Sequence, residues 1–134
     1  MKTFSVSLDV VSSELRLRDL TAQLGAEPSD DSHDLGSPRG RGTSWPETVW
    51  RLDSDAPESA PLEVHCRSLL DKARAAGVLD SVRHLRNAAA HINVAVFFDT
   101  AYCSVPIPPA CLEAIRDHGL GLEVTCYPSE ADAS

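Results

Sequence analysis

Five histidines and four cysteines are the side chains in this sequence best suited to ligating a metal or attacking a substrate: His33, His65, His84, His91, His118, Cys66, Cys103, Cys111 and Cys126. None stands at zinc-finger spacing, and no H-E-x-x-H occurs, so neither a metal nor a cofactor is expected. His84 and His91 share a helix face only if a helix runs on through Ala90. Cys103 follows Tyr102 in a proline-rich loop, a setting suited to a nucleophile, and His118 on the next helix is the base it would need. His65 and Cys66 are adjacent, so on a helix they point about 100° apart and form no dyad. The carboxylates Asp30, Asp31, Asp53, Asp55 and Glu58 lie in linkers. Burial is what separates two carboxylates into an acid and a base, and linkers do not supply it. No catalytic set assembles, so no catalytic residue is assigned and the chain reads as non-catalytic. A small enzyme using a thiol in the 102–109 loop is the alternative.

Binding groups are easier to find. Gly36-Ser37-Pro38-Arg39-Gly40-Arg41-Gly42 lacks the lysine and following helix of a phosphate loop, yet Arg39 and Arg41 could grip a phosphate or carboxylate in a two-pronged contact. Trp45 and Trp50 stand five apart in an expected strand over Trp45–Leu52, so they face opposite sides. Trp50 shares the inner side with Leu52. Trp45 then lies on the outer face as an interface anchor, with Phe97 on the reverse side of a later strand. With the exposed-type aromatic Tyr102, the candidate binding residues are Trp45, Phe97, Arg39, Arg41 and Tyr102.

The elements that must position these residues follow from periodicity. Phe4, Val6, Leu8 and Val10 alternate with polar residues and predict a strand. Ser12 and Ser13 offer an N-cap to a helix carrying Leu17, Leu20 and Leu24, which Gly25 stops. Ser29–Thr43 is too polar to bury itself and is expected as a flexible loop. Pro61 opens a helix with an apolar stripe of Leu62, Cys66, Leu69 or Leu70, Ala73 and Ala76, stopped by Gly77. A second helix is expected over Leu79–Ala90. Ile92–Phe98 predicts a third strand, central or covered on both sides. A helix carrying Leu112 and Ile115 ends at Gly119, and Leu120–Cys126 alternates as a fourth strand. Strand, helix, strand, two helices, strand, helix, strand reduces to two β-α-β halves around a helical pair. The expected class is α+β, a ferredoxin-like sandwich: a four-stranded, mainly antiparallel sheet, helices on one face, with the first and fourth strands side by side. Residues 1–128 form one domain, with a flexible stretch at 29–43 and a polar tail at 129–134.

Bulk properties narrow the partners. The 134-residue chain carries a net charge of -8. Between His65 and His91, Arg67, Lys72, Arg74, Arg83 and Arg86 outweigh Asp71 and Asp80, 5 - 2 = +3, leaving -11 elsewhere. Acidity on that scale opposes phosphate backbones and anionic membranes, and no apolar run is long enough to span a bilayer. The expected location is the cytoplasm, with free thiols.

One further pattern is collective. Leu24-Gly25-Ala26-Glu27-Pro28 after the first helix is followed by a polar gap and by Trp45 and Trp50-Arg51-Leu52. The Ile92–Phe98 strand, Pro109 before the Leu112-containing helix, Gly119 and the Leu122–Tyr127 strand complete it. In these residues the chain resembles the bacterial family known as domain of unknown function 4279, over about Phe4–Tyr127. The resemblance implies a shared fold and supplies no activity or catalytic residue. Some such small proteins look like neighbours of toxin genes, so the resemblance adds an immunity-type role to the expectations. The function expected is a non-catalytic binding or protein-interaction module whose partner is another protein or a second copy in a homodimer. Membrane and nucleic-acid partners are not expected, a weak nucleic-acid contact through the basic helical pair being the remaining alternative.

Overall fold

The alternation of Phe4, Val6, Leu8 and Val10 with Ser5, Ser7 and Asp9 builds β1 (Lys2–Ser12), the strand on which the other elements are hung. In the computed structural model, which describes residues 2–129, the chain continues through α1 (Leu17–Leu24), a ribbon of β2 (Pro38–Gly40) and β3 (Thr43–Ser44), and β4 (Thr48–Asp53). Next come α2 (Leu62–Ala75), α3 (Val78–Ser81) with a 3-10 turn at Val82–His84, β5 (Ala89–Phe98), α4 (Pro109–His118) and β6 (Gly121–Pro128). Apart from Ser129, the expected polar tail lies outside the described residues.

The protein is α+β, and its four-stranded sheet runs β4-β1-β5-β6. β1 is antiparallel to β4, with Val10 opposite Trp50, and antiparallel to β5, with Phe4 opposite Val96. β5 and β6 run parallel, with Val94 beside Val124. The sheet is therefore mixed, which corrects the expectation of a mainly antiparallel, ferredoxin-like sheet. The reason lies in the first half. After α1 the chain returns to the end where β1 stopped, placing Thr48 opposite Ser12, so β1 and β4 close as an antiparallel pair. The connection from β4 to β5 through α2 crosses over β1, and β5-α4-β6 makes the crossover that places two parallel strands side by side. β5 also separates β1 from β6, so the first and last strands are not side by side as expected.

The core fills the side of the sheet bearing Phe4, Val6, Leu8, Val10, Trp50, Leu52, Ile92, Val94 and Val96, all buried. α2 packs there on β1 through Cys66, Leu69, Leu70 and Ala73, α1 packs on β4 through Leu20 and Leu24, and α4 packs on α2. Two sequence expectations shift, the end of the second helix and the start of β4. The second helix of the pair stops at His84 rather than Ala90, because Leu85 is extended and Asn87 takes a φ of 59°, which turns the chain into β5 at Ala89. α4 buries Cys111 and Ala114, whereas Leu112 faces solvent. β4 begins at Thr48 rather than Trp45, consistent with Pro46 having no N–H to give a strand ladder.

Within the 29–43 stretch, expected as a flexible loop, residues 29–33 run along the edge of β4 and residues 38–40 pair in the β2-β3 ribbon. The Ser29 N–H donates to the Arg51 carbonyl at 2.7 Å, the Asp53 N–H donates to Ser29 Oγ at 3.0 Å, and the Arg51 N–H donates to Ser32 Oγ at 2.8 Å. His33 then bridges Val49 in antiparallel fashion. These contacts occupy backbone groups that an edge strand otherwise leaves open.

Candidate functional site

Side chains at alternate positions on β1, β4, β5 and β6 point away from the helices, and in the middle of the sheet they are polar. Asp9 sits between Arg51 on β4 and His91 on β5. Arg51 grips it with two prongs, Nε on Oδ1 and Nη2 on Oδ2, both at 2.9 Å. The Ser7 hydroxyl donates to the same carboxylate at 2.7 Å, and Arg51 Nη1 reaches Asp31 at 3.3 Å. His91 Nε2 lies 3.8 Å from Asp9 and 3.9 Å from Glu123. Hydrogen bonding to Asp9 pushes the Arg51 guanidinium further up, so it stays charged throughout. Burial, with Asp31 close by, pushes the neighbouring Asp53 carboxyl up to about 6. Asp9 and Arg51 are committed to each other, so the arrangement ties β4, β1 and β5 together. The expected apolar outer face is thus replaced at its centre by a charge cluster.

The predicted binding residues separate into three places. Trp45 is not on the sheet; it stands beside the β2-β3 ribbon, its ring stacked on His33 at 3.7 Å with the Arg39 guanidinium 4.4 Å from its centre. The ribbon therefore does bring Arg39 and Trp45 together. Burial, followed by the charges of Arg51 and Arg39, lowers the His33 pKa. Arg41 lies at the ribbon's turn with a φ of 52° and does not join that stack. Tyr102 is 80% exposed in the loop after β5, far from either tryptophan in sequence and contact. Phe97 is on the outer face as expected, 44% exposed, and stacks at 5.0 Å on Tyr127 of β6.

Tyr127 is the residue that sequence reasoning left out of this patch. Its signal was present, since Phe97 and Tyr127 are direct neighbours once β5 and β6 pair in parallel. β6 differs from expectation in a second way. Leu122 and Val124 lie beside buried Ile92 and Val94, yet remain 39% and 40% exposed, because the helices stop short of this edge. The apolar residues of β6 thus lie on the helical side of this sheet edge, and the Phe97–Tyr127 stack lies on its outer side.

The thiols divide by environment. Cys66 and Cys111 are buried where α2 meets α4, and Cys103 and Cys126 are more accessible. Hydrogen bonding between the two buried thiols, with burial second, pushes Cys66 up, while Cys111 is lowered as the acceptor. Among the described residues no hydrogen bond joins Cys103 to His118, and no cluster of three or more His, Cys, Asp or Glu could hold a metal. The cations of α2 are locally paired: Arg67 with Glu63, Lys72 with Asp55 and Arg74 with Asp71. No helix among the described residues is long and apolar enough to cross a membrane.

These features define an α+β protein built on one mixed four-stranded sheet, helices along one face and a charge cluster on the other. The chain belongs to the family described as Domain of unknown function (DUF4279), whose family model matches residues 2–129, nearly its whole length. No curated protein and no solved structure matches it.

Proposed function

We propose that this chain is a non-catalytic interaction module that docks through the outer edge of β6, and that the occupant of that edge is a second copy. The observation that carries the reading is the contrast between the two sheet edges. Residues 29–33 cover β4, whereas β6 is an eight-residue strand paired on one side only among the described residues, with half-exposed apolar residues along it. Such an edge presents unpaired N–H and C=O groups and is a template for strand addition.

The side chains favour one register. An antiparallel pair centred on Val124 sets Val124 against itself, Leu122 against Cys126 and Glu123 against Thr125 of the second copy. Centring on Glu123 instead opposes two like charges, which is unfavourable. The Val124-centred pair extends the sheet across both protomers and covers the exposed apolar side chains.

Light scattering across a concentration range tests the association, and Val124→Cys in a Cys126→Ser background tests the register. The expected results are a dimer and an interchain disulfide, since Cβ atoms directly opposed in a non-hydrogen-bonded pair approach to about 4.5 Å, the upper end of the disulfide range. A monodisperse monomer at every concentration overturns the reading.

A further inference from the structure

A cleft of about 840 Å³ opens on the helical side, between the start of β1, the first turns of α2 and the segment leading into α4. None of its lining residues belongs to β6, so it is separate from the docking edge. Phe4, Leu62, Leu70 and Ile107 give it an apolar lining. Pro106, Pro108 and Pro109 form part of its wall, and their fixed φ angles make that wall stiff before any ligand arrives. A cleft of roughly 300–1,000 Å³ with an apolar lining and a few polar groups is the ordinary form of a small-molecule site.

Charge selects the ligand class. Lys2, Arg67 and Arg74 line this cleft against Glu63 and Asp71, 3 - 2 = +1, on a chain whose net charge is -8. Lys2 Nζ donates one hydrogen bond to the Ser104 carbonyl at 2.7 Å, and an ammonium has further donors to give. The same nitrogen stands 5.7 Å from the centre of the Phe4 ring, so a cation and an apolar surface adjoin. Among the described residues Arg67 and Arg74 are held by exposed helix-surface partners at 3.0 and 3.4 Å, and exposed pairs of that kind exchange at little cost.

We infer that this cleft binds a small carboxylate with an apolar body, its head on Lys2, Arg67 and Arg74 and its body on Phe4, Leu62, Leu70 and Ile107. The test titrates octanoate into isotope-labelled full-length protein and follows amide shifts. Heptyltrimethylammonium, which carries the same seven-carbon alkyl chain with the opposite charge, is the control. The expected result is saturable shifts confined to the cleft with octanoate and no saturation with the cation. Arg67→Gln combined with Arg74→Gln weakens octanoate about tenfold. Ala110→Trp, which places an indole on the exposed first turn of α4, removes binding while the amide spectrum stays folded. Absence of saturation, shifts that map outside the cleft, equal binding of the cation, or unchanged affinity in folded Ala110→Trp each overturns the inference. The two arginine changes lie on exposed side chains, so the test stands if the tryptophan variant does not fold.

Discussion

Asp9 carries its charge with only 5% of its side chain exposed, and both oxygens are taken by Arg51. Removing one member of such a pair leaves the other with its desolvation uncompensated. Asp9→Asn is expected to cost about 2–3 kcal/mol in chemical denaturation, less than a fully buried pair because Arg51 is partly solvated. Asp53 acts in the opposite sense. Its folded pKa, about 6, lies above the ordinary 3.8, so the fold takes up a proton in that window and loses stability as pH rises through it. Asp53→Asn therefore stabilises the protein at about pH 8, on the order of 1 kcal/mol after allowance for solvent screening, and has little effect near pH 4. Thermal melts at the two pH values check the sign. Among the thiols, Cys103 reacts with an alkylating reagent under native conditions, Cys126 reacts more slowly as protein concentration and pairing rise, and Cys66 and Cys111 react only after unfolding. Trp50 and the apolar side of β1 were legible as core from their types alone. The Asp9–Arg51–His91 cluster was not, because its members lie on three strands and meet only once register is set.

At the scale of elements, alternation identified all four strands of the main sheet, and α2 was legible from its stripe of Leu62, Cys66, Leu69 and Ala73. Neighbour and direction were not legible. Period two states that a strand has an inner side and says nothing of which strand lies beside it, so β6 was expected beside β1 and is found beside β5. The early end of the second helix turned on one residue. Asn87 adopts a left-handed conformation, and its carbonyl accepts a hydrogen bond from Ser12 Oγ at 2.7 Å. Ser12 Oγ also accepts the N–H groups of Glu14 and Leu15, so one hydroxyl fixes both the exit from β1 and the entry to β5. Asn87→Ala is expected to cost about 1 kcal/mol and Asn87→Gly close to nothing, measured by urea denaturation. Trp45 was misplaced for a related reason: its neighbour Pro46 keeps it out of β4, and the ribbon holds it against His33 instead.

For the whole molecule, the net charge of -8 sets the terms of self-association. Two copies repel at long range, and added salt screens that repulsion while leaving strand pairing intact. The association constant is therefore expected to rise between low salt and about 0.15 M ionic strength, and Val124→Lys, which plants a charge at the centre of the edge, yields a monomer by light scattering. Family membership and the α+β class were visible in the sequence because both rest on local spacing. The open corner at β6 was not, since it depends on where the helices end.

One asymmetry of the sheet limits what such pairing can build. With residues 29–33 already seated on β4, the main sheet of each protomer has, among the described residues, a single open edge. Once two of those edges meet around a two-fold axis, nothing remains to recruit a third chain, so growth halts at the pair and a filament has no second end from which to extend.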